Sequence, residues 1–134
     1  VKKRSLSMII AVDFDGTIVK EDYPRIGEEI PFSVEVLKLF VSLGHKIILH
    51  TCRTHVLHDG HDTLSEAVDW CKSRGIQLYA VNDNPQSREL YGGQTKVGAD
   101  LYIDDHGLGI PMVDGHVDWI AIRQHVLSSC DVLP

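Results

Sequence analysis

A chain of 134 residues has room for one domain and one hydrophobic core. Its 43% hydrophobic and 24% charged residues are those of a globular protein, which excludes a disordered tail, a collagen-like chain and a disulfide scaffold. Nineteen acidic against 13 basic residues give a net charge of −6, so no general nucleic-acid-binding surface is expected, only at most a local basic pocket.

Residues 1–7 are polar and basic and read as a flexible extension ahead of Met8. Met8–Asp13 (MIIAVD) is an apolar run stopped by a carboxylate, the pattern of a buried parallel strand. The run is too short for a membrane span or a signal-peptide core. Cys52, Cys71 and Cys130 are odd in number and widely spaced, which fits a reducing compartment; the expected location is cytoplasmic. Asp15-Gly16-Thr17 marks a turn, and residues 18–31, with Gly27 and two prolines, predict a small hairpin or flap.

Ser33–Leu43 has Val34, Leu37, Phe40 and Val41 at helical spacing, with Gly44 just beyond. Lys46–His50 (KIILH) predicts a second buried strand ending at Thr51. Thr63-Leu64-Ser65-Glu66 reads as a capping box, opening a helix that turns Ala67, Val68 and Cys71 inward and closes at Gly75. Gln77–Val81 predicts a third strand, and residues 82–95 a loop with one helical turn around Ser87–Leu90. Leu101–Ile103 predicts a fourth strand running into Asp104-Asp105, and Val117–Leu127 a final helix capped near His116–Asp118. Trp70, Trp119 and Phe40 fall on helical patterns, as packing residues do.

Strands alternating with helices argue for an α/β domain of Rossmann-like, three-layer type, with a central parallel sheet covered on both faces. Ligands bind at the carboxyl ends of such strands, where Asp13, Thr51 and Asp104-Asp105 all fall. Asp13, Asp15, Asp104 and Asp105 gathered at one edge would repel one another unless a cation or protons compensate. An all-oxygen ligand set favours Mg²⁺, which keeps waters and also binds phosphate. Thr51 would offer a hydroxyl and a backbone N–H to a phosphate oxygen, and Lys96 a compact positive charge.

Asp13-Phe14-Asp15-Gly16-Thr17 after an apolar strand resembles the first motif of the haloacid dehalogenase-like (HAD) hydrolase superfamily. Thr51 after KIILH resembles its second motif, Lys96 its third and Asp104-Asp105 its fourth, in the family's order and across residues 8–106. The resemblance implies a phosphatase in which Asp13 becomes an aspartyl-phosphate while Asp15 serves as acid and then base. It implies Mg²⁺ on Asp13, the Asp15 carbonyl and Asp105, with Asp104 direct or through water. Thr51 and Lys96 would hold the phosphoryl oxygens. Phe14 and Gly16 beside Asp13, and Cys52 and Arg53 beside Thr51, are the expected substrate-binding positions. Arg53 has a competing role as partner of a surface carboxylate. Neither interval between motifs accommodates a cap domain, so the chain resembles small capless members. Their open sites suit bulky or macromolecular phosphate esters, with homo-oligomerisation as one way to supply a lid.

Other chemistries fit less well. An EF-hand would need glycine at Ile18 and glutamate at Pro24, and a C-x5-R phosphatase would need arginine at His58. Neither a Walker motif nor a complete dinucleotide fingerprint occurs. His55, His58 and His61 invite comparison with a zinc site or a substrate-facing loop, against a plain exposed loop. The rivals from another class are a receiver-like phospho-acceptor module and a non-catalytic HAD-like binding domain. A receiver resembles another order, with an acidic pair after the first strand, the acceptor aspartate after the third and the lysine last, whereas here the acidic pair follows Lys96.

Overall fold

The computed structural model describes residues 4–5 and 7–132. Four parallel strands form the central sheet: β2 (Ile9–Val12), β3 (Lys46–Leu49), β4 (Ala80–Val81) and β5 (Leu101–Ile103), in the order β4-β3-β2-β5. β1 (Arg4–Ser5) pairs antiparallel with β8 (Asp131–Val132). The expected extension is therefore tied to the fold at Arg4–Ser5, while its residues 1–3 and 6 lie outside the described residues.

Helices flank this sheet. α1 (Ser33–Ser42) packs against β3 and α4 (Trp119–Cys130), and α2 (Thr63–Ser73) and α3 (Pro85–Tyr91) complete the set. Side chains alternate along a strand, so Ile10, Val12, Ile47, Leu49 and Ile103 share one face. They form a single core with Leu37 and Phe40 of α1, Ala67 and Cys71 of α2, and Trp119 and Val126 of α4. On the other parity, Ala11 and Ile48 are buried too. Tyr102 beside them is half-exposed, its hydroxyl donating to the Val97 carbonyl at 2.7 Å and accepting from the Ala99 amide at 3.1 Å.

Strand order reverses beside β2, because β3 and β4 lie on one side of it and β5 on the other. The crevice for a ligand in such a sheet opens at that reversal, beyond the carboxyl ends. Register brings the ends level: Val12 sits opposite both Leu49 and Ile103. The Asp13 amide donates to the Ile103 carbonyl at 2.9 Å, and the His50 amide to Val12 at 2.8 Å. Asp13, Thr51 and Asp104 thus leave the sheet at one edge.

Local chemistry shifts several boundaries. α2 is capped by Asp62 rather than Thr63: the Ser65 amide and hydroxyl both donate to the Asp62 carboxylate, at 2.9 Å each. A carboxylate also favours the positive end of the helix dipole. Thr63 is buried, its hydroxyl turned to the Thr54 carbonyl. Sheet pairing reaches only Ala80–Val81, so the third strand is shorter than Gln77–Val81. Before α4 comes an unforeseen hairpin, β6 (Met112–Val113) with β7 (His116–Val117). Asp114 and Gly115 between them have φ of 51° and 82°, as a type I′ turn requires. The expected flap is a hairpin: the Lys20 amide donates to Glu28 at 2.7 Å, and the Ile30 amide to Ile18 at 2.9 Å.

Candidate functional site

Asp13 ends β2 and Asp105 lies just past β5, and Thr17 joins them. Its hydroxyl oxygen is 3.1 Å from Asp13 Oδ2 and 3.3 Å from Asp105 Oδ1, and accepts the Asp105 amide at 3.0 Å. One hydroxyl hydrogen serves one carboxylate at a time. Thr17 is itself anchored, because its carbonyl accepts from the buried Trp119 indole at 2.8 Å. Gly16 makes the approach possible: its φ is 86°, and a Cβ there would overlap the Asp105 carboxylate. Gly16 is therefore a spacing residue beside the site.

Burial, the hydrogen-bonded Asp105 carboxyl and the Asp104 charge push Asp13 up to about 8, while Thr17 pulls the other way. Among the described residues, no cation forms a salt bridge with Asp13. Asp104, Asp105 and His106 have ligand atoms within 4.8 Å of one another. His106 Nδ1 lies 3.3 Å from Asp105 Oδ1, and the His106 amide donates to Asp104 at 2.9 Å. This oxygen-rich group, short of positive charge, suits a hard divalent cation.

Asp15 has the opposite surroundings. Arg53 Nε and Nη2 donate to its two oxygens at 2.8 and 2.7 Å. Nη1 donates to the carbonyls of Pro24 and Thr63, each at 3.2 Å, and Nη2 also to Arg25 at 2.8 Å. These five contacts match the five N–H groups of a guanidinium. Arg53 is 1% exposed, with its Cζ 5.2 Å from the ring centroids of both Phe14 and Tyr23. Burial works against its charge, but Asp15 outweighs burial and raises Arg53 above its ordinary value.

A cavity of about 440 Å³ opens over this edge, and Asp13, Asp15, Thr51, Cys52, Arg53 and Asp104 all border it. Several expected roles change on contact with this geometry. In this arrangement every Arg53 N–H is already matched, so the guanidinium serves Asp15 and three carbonyls rather than a phosphate site or a surface carboxylate. Phe14 is fully buried, edge-on to Trp70 with centroids 5.6 Å apart, so its side chain does not meet the cavity. The Thr51 amide is committed to Asn82 Oδ1 at 2.8 Å, leaving its hydroxyl, which accepts the Arg53 amide at 3.1 Å. Lys96 is not brought to Asp13: it is exposed, its Nζ lies 5.2 Å from the Tyr102 ring centroid, and it borders a different cavity with Asn82 and Arg88.

The histidines of the 55–62 loop each turn to a separate carboxylate, His55 to Asp62, His58 to Asp59 and His61 to Glu66. They are not gathered round one point. Glu21 and Tyr23 of the flap also border the cavity and were not foreseen as lining residues, because a short irregular hairpin carries no periodic signal; His106, next to the acidic pair in sequence, borders it too.

No protein-family model and no curated protein matches the chain. Among solved structures it is similar to a conserved protein from Bacteroides thetaiotaomicron, with 44% identity and a TM-score of 0.77. The match covers 92% of this chain and 93% of that one. The chain belongs to the family of that conserved protein. Kinship of this kind extends to the fold and the sequence, and leaves the chemistry to the side chains of the site.

Two outcomes follow from the electrostatics. Arg53→Met strips the donors from Asp15 and three carbonyls, and should destabilise the fold by about 3–5 kcal/mol in urea unfolding; a loss under about 1 kcal/mol would contradict the clamp. Asp13 has an ordinary value of 3.8 but holds its proton to about 8 when folded in the metal-free state. Folding therefore gains most from this group below pH 3.8, and the gain is lost as pH rises towards 8. In EDTA, wild type should lose thermal stability relative to Asp13→Asn across that range; parallel curves would show that Asp13 is not so perturbed.

Proposed function

We propose that the chain is a Mg²⁺-dependent phosphomonoester hydrolase of the small, capless HAD-like kind, with Asp13 as nucleophile. The observation that carries this is the Asp13–Thr17–Asp105 cluster, a crowded carboxylate group at the sheet's reversal with, among the described residues, no cation bridged to Asp13. Asp13, Asp105 and the Asp15 carbonyl would hold the ion, with Asp104 beside them. When bound, Mg²⁺ would neutralise charge on the carboxylates and on the phosphoryl oxygens.

The residues divide the remaining work. An Asp13 carboxylate oxygen bonds to phosphorus as the bond to the alcohol oxygen breaks, and that oxygen takes its electron pair and a proton from Asp15. Asp15 then takes a proton from water, whose oxygen bonds to phosphorus and releases Asp13. In the resting arrangement both Asp15 oxygens accept from Arg53. The water step suits that arrangement, whereas the acid step requires one Asp15 oxygen to leave the guanidinium. Thr51 retains its hydroxyl for a phosphoryl oxygen. Lys96 stands outside the group, and no step is assigned to it.

Phosphate release from p-nitrophenyl phosphate should stop in EDTA and return with Mg²⁺. Asp15→Asn should slow turnover by roughly 10²–10⁴-fold. With this good leaving group it should show a burst of p-nitrophenol, because formation of the intermediate needs less proton donation than its breakdown. Full steady-state activity in Asp15→Asn would remove Asp15 from the chemistry. A long-lived acyl-phosphate on wild type without phosphate release would favour the phospho-acceptor alternative.

A further inference from the structure

The cavity's charge balance constrains the alcohol half of a substrate. Four carboxylates border it: Asp13, Asp15, Glu21 and Asp104. Asp13 and Asp104 belong to the cation-deficient cluster, and Asp15 is matched by Arg53. That leaves Glu21, on the flap. It is exposed, its Oε1 accepts the Tyr23 amide at 3.0 Å, and among the described residues no salt bridge compensates it. Arg53, the arginine bordering the cavity, has spent every N–H. Lys20 borders the neighbouring cavity, which Glu21 shares, and is paired with Glu28 at 3.4 Å. Beside Glu21 is the Tyr23 ring, which has Arg53 Cζ 5.2 Å and the His58 ring 5.6 Å from its centroid and stays half-exposed.

A phosphoryl group could share a cation held by the cluster, but a second anionic group would meet the Glu21 carboxylate; of the basic side chains at this cavity, Arg53 is saturated and His106 Nδ1 is turned to Asp105 at 3.3 Å. A cavity of about 440 Å³ is also the size of a small-molecule site. Resting on the phosphohydrolase function proposed above, we infer that the substrate is a small monophosphate ester whose alcohol carries no negative charge. Glu21 is the residue that rejects anionic alcohols, and Tyr23 the surface on which a neutral one lies. Nucleic-acid ends and acidic phosphopeptides are the wrong class, because each brings further anions to the flap. This narrows the open site's expected preference for macromolecular esters.

The test compares phenyl phosphate with 3-carboxyphenyl phosphate, whose leaving groups have similar acidity, and thymidine 5′-monophosphate with the dinucleotide pTpT. Assays use Mg²⁺, low salt and mildly alkaline pH, where histidine is uncharged. The less charged member of each pair should have the higher kcat/KM, by roughly tenfold per added charge. The difference should lie mainly in KM and shrink at high salt. Glu21→Gln should shrink the ratio within each pair even if its absolute rates fall. Equal or better use of the anionic member, or a ratio unmoved by Glu21→Gln, would overturn the inference while leaving phosphohydrolase activity in place. Absence of phosphate release from all four esters would overturn that activity and this inference together.

Discussion

The Arg53 guanidinium is the contact on which the site's architecture depends. It joins the loop after β2 through Asp15, the flap through Pro24 and Arg25, and the start of α2 through Thr63. A buried ion pair of this sort is costly to desolvate, and one that loses a partner is far worse than none at all. What makes it tolerable here is saturation, with every donor matched to an oxygen and the planar face set against Phe14 and Tyr23. The flap carrying Glu21 and Tyr23 is held over the strand ends by that same group.

The clamp also separates two carboxylates that stand two residues apart in one loop. Asp15 carries its own positive partner, whereas Asp13 is pressed against Asp105 and Asp104, with the Thr17 hydroxyl shared between Asp13 and Asp105. Gly16 and Trp119 hold this crowding in place, the first by giving up a side chain and the second by pinning the Thr17 carbonyl. In the proposed chemistry the first of these carboxylates would be the oriented proton carrier, and the second would be completed by a cation and a phosphoryl group. That division is the physical basis of the proposed chemistry.

Much of the frame was legible in the sequence, because buried parallel strands are continuous apolar runs that stop at polar residues. β2 and β5 could be placed from MIIAVD and LYI, and with them Asp13 and Asp104 at one sheet edge. The role of Arg53 could not be read in this way. Its partners lie 38, 29, 28 and 10 residues away, in the loop after β2, the flap and the first turn of α2, and only the folded chain brings them together. The cap of α2 was misplaced by one residue because Asp62 and Thr63 are both good caps, and burial of Thr63 decided between them. The hairpin at Asp114-Gly115 did have a local signal, an Asp-Gly pair between short apolar runs, and was overlooked. Lys96 followed from motif order alone, which specifies neither the path of the 82–98 loop nor the pull of the Tyr102 ring.

The central claim is that Asp13 is the atom-transferring residue of this edge. The most direct measurement is rapid acid quench of the wild-type protein during turnover of p-nitrophenyl phosphate with Mg²⁺, followed by mass analysis of the intact chain and its peptides. The account predicts one phosphoryl group per chain, on the peptide containing Asp13, lost on treatment with hydroxylamine. A phosphoryl group on any other residue, or steady phosphate release with none ever trapped on Asp13, would contradict it.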